Sequence, residues 1–570
     1  MANAFLVAIS FLQSPVPAAA VDPTVNLSYS QYIGTPLING ITQWLGMRYA
    51  APPVGDLRFE PPRDPRYHGT PQKADTANCL TLSVFAPSNA SSHTNTNKLL
   101  PVFVFLGGGG FASLASANLN ASGLIAAAHH AIVVVTPNYR VGPYGFISSE
   151  AAPHVTANNG LRDQRKALQW VQRHIAKFGG DPRRVVLGGD SAGAASVVLQ
   201  MGAFGGDDGD GDGDGLFHAV AGESVSFATM LTVKEAQYQF DNLVIRTGCA
   251  GGDGGRVLAC LRGRSAEEIG RHSGPTPYPF GGVYPPVYMW NPVVDGDFVP
   301  ELTYSAFGKG RFVRGIRAAV FGDDTNGGTL FVPRGVGTKG EGNGFLRDQF
   351  PWLTVGMLER LNGLYPNPDA SKGYGCWYRQ TAAVYGEMRY MCPSLFITQA
   401  LRRHGLANSS YAYRWNVKDP EQVAAGVGVP HVVELNALFG PYNIPGGQNV
   451  SSGAVPRSYY PDGINAHAVP VIQGYWASFI RSFNPNEHRC CGAAKWTPWR
   501  VGGKNLAGKR LLFDTGGRTE MEKLEGGSMN IKGGGVDTLD GDGEGQWDDD
   551  DGGLLKRCEY LWSIGAAIHQ

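Results

Sequence analysis

The chain has 570 residues, with 48 Lys and Arg against 48 Asp and Glu, a formal net charge of zero. It has no basic excess to neutralise phosphates, so a nucleic-acid partner is not expected. The length suffices for a large buried core, and no stretch approaches the about 20 uninterrupted apolar residues of a transmembrane helix.

At the N-terminus, "MANAFLVAISFLQSPVPAAAVDP" sets a short apolar run, Ala4 to Leu12, ahead of the small-residue stretch Pro15 to Ala20. That is the arrangement of a secretory signal peptide over residues 1–20, though no cationic side chain precedes the run. Residues 21–570 then read as one domain. Sequons at Asn26, Asn89, Asn120, Asn408 and Asn449 are compatible with secretion, and eight cysteines suit an oxidising compartment. Cys249 and Cys260 bracket the short, Gly-rich "AGGDGGRVLA", where a disulfide is expected to contribute about 3 kcal/mol through loop closure. Spacing alone does not pair the other six.

Further along, "LPVFVFLG" (Leu100–Gly107) and "AIVVVTPNYR" (Ala131–Arg140) predict buried strands. "NGLRDQRKALQWVQRHIAKFGGDP" carries apolar residues at helical spacing and predicts a helix that stops at Gly179-Gly180. "RRVVLGG" follows as a strand, and "IRAAVFGDD" predicts another, ending at Asp323 and Asp324. Two acidic low-complexity stretches, 205–215 and 533–553, predict solvated loops. Neither has the spacing of an EF-hand or of a calcium-binding nonapeptide repeat, and no metal or organic cofactor is expected. The alternation of strands and helices predicts an α/β domain with a mainly parallel sheet.

Gly189-Asp190-Ser191-Ala192-Gly193 fits G-x-S-x-G and lies between a β-branched strand and a small-residue helix start. Such a strand, sharp turn and helix make a nucleophile elbow. Taken alone, the pentapeptide reads as readily as a chance turn, and the remaining motifs decide.

Those motifs are "WLGMRYAAPPVGDLRFEPP", "NCLTLSVFAP", "VFVFLGGGGFASLAS", "VVVTPNYRVGPYGF", "LFHAVAGES", "GDDTNGGTLF" and "PHVVELNALFG", with the elbow segment in order among them. From about Val25 to Ala567 the chain resembles the type-B carboxylesterases, the cholinesterase-like branch of the α/β-hydrolase fold, and particularly their secreted fungal members. The resemblance implies a central, mostly parallel twisted sheet flanked by helices. It implies Ser191 as an exposed, reactive nucleophile, His431 as the base, and the backbone of Gly109, Gly110 and Ala192 as the oxyanion hole. The implied partner is a small-molecule ester, cleaved through an acyl-enzyme. "PTPYPFGGVYPPVYMW" (Pro275–Trp290) is expected to lend aromatic residues to the wall. The identity of the ester and the oligomeric state stay open.

Three departures from the family pattern matter. Gly327 stands where relatives carry the Glu of the triad, and loss of that acid typically costs about 10⁴-fold in turnover. Asp323 or Asp324 could replace it, a weak Ser-His dyad could operate, or the site could have decayed into that of a binding protein. An acyltransferase or cyclase using the same acyl-enzyme is also open. The segment between "RFEPP" and "NCL" is short and lacks the cysteine that in relatives pairs with the one at Cys79, so Cys79 is expected to be free and the gorge mouth wider. Gly107 occupies a position where relatives often have an aromatic residue or His.

Overall fold

The computed structural model describes residues 23–67, 79–88, 99–115, 119–152, 154–206, 215–367, 369–371, 373, 375–406, 408–444, 455–490, 492–500, 507–525 and 553–570. The signal-peptide segment, nearly all of both acidic stretches, and the sequons at Asn89 and Asn449 lie outside these residues.

Strands β1 (Thr24–Asn26) and β2 (Gln31–Ile33) form a small antiparallel sheet. The main sheet holds β3 (Thr35–Pro36), β4 (Ile41–Arg48), β5 (Thr81–Pro87), β6 (Leu100–Leu106), β7 (Val133–Pro137) and β8 (Gly180–Asp190). It continues with β9 (Ala219–Glu223), β10 (Ala318–Asp324), β11 (Ser410–Asn416), β12 (Ala507–Asp514) and β13 (Arg518–Glu525). Their order is β13-β12-β11-β10-β9-β8-β6-β7-β5-β4-β3. The run from β12 to β7 is parallel throughout, and the outer strands pair antiparallel.

The parallel centre follows from its residues. Along β6, Val102, Val104 and Leu106 enter one core while Phe103 and Phe105 enter the other; in β7, Val133 and Val135 oppose Val134. Side chains alternate with a period of two, and both faces are apolar, as a sheet covered by helices on each side requires. Helices α1 (Asn159–His174), α2 (Ala192–Gly202) and α3 (Cys392–Arg403) cover one face, and α4 (Ala468–Ser482) the other. Among the described residues no helix is long and apolar enough to cross a membrane.

Polar and covalent ties fix helices to the sheet. After α1 the chain makes one 3₁₀ turn, Ile175–Phe178, and stops at Gly179 with φ +80°, the left-handed cap that glycine takes without a steric penalty. Buried Arg140, just past β7, grips Asp163 of α1 with Nε and Nη2, each at 2.7 Å. Disulfides join Cys249 to Cys260 and Cys392 of α3 to Cys558 of α5 (Leu554–Gly565). Among the described residues three cysteines are unpaired: Cys79, exposed; Cys490, half-buried; and Cys376, buried. Just past α5, buried Gln570 donates its side-chain amide to Phe227 O at 2.8 Å and Met388 O at 3.2 Å.

Candidate active site

Parallel strands bring their carboxyl ends to one edge of the sheet, where ligand sites of open α/β folds form. Here β6, β8, β9 and β10 end side by side: Leu106 is in register with Gly189, Asp190 with Glu223, and Glu223 with Gly322. The residues that follow these strands build the site.

Between β8 and α2, Ser191 adopts φ 54° and ψ −119°. A residue with a Cβ rarely takes such a conformation, and when it does the surroundings must hold it there. The Ser191 N–H donates to Glu223 O at 2.8 Å, pinning the turn to β9. The flanking glycines are sterically required. A Cβ on Gly189 would fall 2.6 Å from Leu106 O, and one on Gly193 2.7 Å from the Leu106 carbonyl carbon. The helix can cross the end of β6 only if those positions carry no side chain. Ser191 is not openly exposed, as the resemblance implied, but buried at 8%. The glycine loop after β6 and the segment after β9 pack around it.

In that glycine loop, the Gly108 N–H donates to Asp190 Oδ1 at 2.9 Å, and a Cβ on Gly108 would lie 2.9 Å from Ser191 Cβ. Gly109 and Gly110 have φ +132° and +61°, and Phe111 follows at +58°. The backbone N–H groups of Gly109, Gly110 and Ala192 have no hydrogen-bond partner among the described residues. Unspent donors next to a serine hydroxyl can receive a developing oxyanion. At Gly107, the carbonyl accepts from buried Tyr139 Oη at 2.7 Å.

From β9 and β10 come Ser224 and Asp324. Ser224 Oγ donates to Asp324 Oδ2 at 3.0 Å, and the same oxygen accepts the Val432 N–H at 2.6 Å, next to His431. Ser224 and Val432 both have φ +55°, which for a β-branched valine is a true outlier. Strained residues thus cluster around the serine and histidine. His431 is buried, its ring tilted against Tyr390 at 4.0 Å between centroids and edge-on to Phe331 at 5.4 Å. Neither ring nitrogen has a hydrogen-bond partner among the described residues. Burial, and then the Arg389 guanidinium, hold the imidazole down to about 3 from the usual 6.5.

Strand periodicity turns Asp323 to the opposite face of the sheet from Asp324. Gly327, further along, has open space: a Cβ there would meet only Asp324 O and Tyr390 Cδ2, both at 3.6 Å.

Several residues here are invisible to motif reading. Glu434, a turn after His431, accepts from Tyr413 Oη at 3.1 Å and shares its environment with Asp324. Burial pushes both carboxyls upward; Glu434 raises Asp324 further, while the hydrogen bond between the two offsets part of the rise at Glu434, so the pair shares a proton. Glu223 accepts from Trp476 Nε1 at 3.0 Å and is likewise pushed well up by burial, Glu434 and Asp190. Arg389 lies in a π-helical turn, Glu387–Met391, ahead of α3, and donates from Nε to Ser226 Oγ at 3.0 Å. Its guanidinium sits 5.7 Å from the Tyr288 ring centre, and that ring fills the space where Gly110 would carry a Cβ. Tyr288 belongs to the aromatic segment 275–290. The spacing of "PHVVE" could have flagged Glu434; nothing local marks Glu223 or Arg389.

Comparison with known proteins agrees with this geometry. The model of the carboxylesterase family matches residues 21–77 and 66–519. Secreted lipase 4 of Gibberella zeae is 25% identical over 85% of this chain and 86% of its own length. Cholinesterase of Mus musculus is 27% identical over 80% and 77%, and lipase 1 of Geotrichum candidum 29% over 62% and 71%. Among solved structures, Aspergillus niger EstA superimposes with a TM-score of 0.83 at 33% identity, covering 96% of this chain and 99% of that one. With its α/β-hydrolase sheet and a strained serine at the carboxyl edge, the chain belongs to the carboxylesterase family.

Proposed function

We propose that the protein is a serine hydrolase of carboxylic esters. Ser191 Oγ attacks the ester carbonyl while His431 takes its proton, and the N–H groups of Gly109, Gly110 and Ala192 hold the tetrahedral oxyanion. His431 then protonates the leaving alcohol and activates water to release the acid. Asp324 is the third member: the Val432 N–H···Oδ2 bond holds its carboxyl beside the backbone of His431. Catalytic hydrogen bonds are often open in an unliganded site and close around substrate. The observation carrying the proposal is the Ser191 backbone, φ 54° and ψ −119°, with the Gly108–Gly110 loop packed against it.

An organophosphonate probe should label the protein covalently, and Ser191→Ala should abolish labelling. A second reading, a binding protein with a decayed triad, draws on Gly327 and on the unpartnered His431 nitrogens. Absence of labelling in folded protein, under conditions where an active esterase reacts, would decide for it. Secretion belongs to the same proposal, supported by the N-terminal apolar run, two disulfides and a relative named as a secreted lipase.

A further inference from the structure

We propose that Arg389 is an anion-recognition residue, which selects esters bearing a carboxylate. The proposal rests on the ester-hydrolase reading and adds a substrate class to it.

A buried guanidinium is costly unless an opposite charge meets it. Arg140 and Arg414 obey this rule, with Asp163 at 2.7 Å and Glu522 at 2.8 Å. Arg389, equally buried, has no carboxylate within ion-pair distance among the described residues. Its Nε is committed to Ser226 Oγ, while Nη1 and Nη2 have no hydrogen-bond partner among those residues. The two free nitrogens present the planar fork that fits a carboxylate with two parallel hydrogen bonds.

Its surroundings direct this fork to the reacting centre. Ser226, which receives Nε, donates its own backbone N–H to Ser191 O at 3.3 Å. Tyr288, beneath the guanidinium, lies against Gly110 of the glycine loop. Tyr390, the next residue, packs against His431. One cation therefore borders the nucleophile, the oxyanion donors and the base. Between them Phe331 packs against both Tyr288 and Tyr390, giving the neighbourhood an aromatic character. A short chain ending in a carboxylate matches these surroundings: apolar body, charged tip.

The test compares para-nitrophenyl hemiglutarate with para-nitrophenyl valerate, which differ chiefly in the terminal charge of the acyl chain. A second arm compares acetyl esters of an anionic and a neutral phenol, placing the carboxylate on the leaving group. The preference for the charged ester, as a ratio of kcat/KM values, should fall about 10- to 100-fold in Arg389→Gln in one arm. That arm identifies which side of the ester carries the anion. Arg389→Lys, which keeps the charge but loses the fork, should retain only part of the preference. Should Arg389→Gln fail to fold, Arg389→Lys decides. An undiminished preference in the folded variant, or no preference in the parent protein in either arm, overturns the proposal.

Glutarate binding to Ser191→Ala, read by calorimetry, separates this proposal from the one beneath it. Glutarate bound through Arg389 by a protein that cleaves no ester sustains anion recognition and removes the hydrolase reading. Cleavage of the valerate ester with neither charge preference nor glutarate binding does the reverse.

Discussion

Asp324 and Gly327 lie three residues apart, and Asp324 is the proposed partner of His431. Asp324 is already oriented by two donors, Ser224 Oγ and Val432 N–H, and by its contact with Glu434. Asp324→Asn should therefore lower kcat by about 10⁴-fold, measured on any ester the parent protein cleaves. Gly327→Glu has room for its Cβ, yet it adds a third carboxyl beside a pair that already shares a proton, and turnover should stay level or fall. A large gain would show that Asp324 is not the acid. The histidine carries its own expectation. Burial and Arg389 keep His431 neutral down to about 3, so the acid limb of kcat/KM on a neutral ester should lie well below pH 6.5. Arg389→Gln should move that limb upward. Stability has the same sign: the folded state resists protonating this ring, so its contribution is full above about 6.5 and lost as pH falls towards 3. Ser191 and His431 were legible because a turn or a motif forces their neighbours. Arg389 was not, since its role depends on Ser226 and Tyr288, which are remote in sequence.

Among elements, the strands were the easiest to read. Leu100–Leu106 and Val133–Pro137 are β-branched or aromatic runs bounded by Gly or Pro, and the observed limits differ from the expected ones by a few residues at most. The π-helical turn Glu387–Met391 has no such mark. It is an irregularity within one helical stretch, held from outside by the bidentate Arg557–Glu387 pair and the Phe227 N–H bond to Arg389 O. Pairing of Cys392 with Cys558 was equally hidden, because 166 residues separate them. The elbow depends on α1 remaining docked, and the buried Arg140–Asp163 grip does much of that. Asp163→Asn strips the guanidinium of its charge partner and should destabilise the fold by about 3–5 kcal/mol, seen as a lowered midpoint in urea with unchanged disulfides. Removing both charges in Arg140→Met/Asp163→Leu should cost less than the single change, because no buried ion is left unpaired.

Taken whole, the molecule assembles its candidate site from segments spread over much of the chain, with Tyr288 packed against the glycine loop and a brace supplied by residue 570. The parallel sheet explains the convergence: every strand in its centre points its carboxyl end the same way, and the loops there meet whatever their order in sequence. Gln570 adds a time order to this geometry. Its amide bridges Phe227 O and Met388 O, immediately beside Ser226 and Arg389. Deleting His569 and Gln570 should lower kcat/KM while circular dichroism stays unchanged, and a normal rate would show that the bridge is idle. During synthesis, residues 554–570 leave the ribosome after all the strands and both halves of the Ser191–His431 pair. The shell around Arg389 thus closes only after every strand of the sheet has been made, so the sheet can assemble ahead of the brace on which the proposed activity depends.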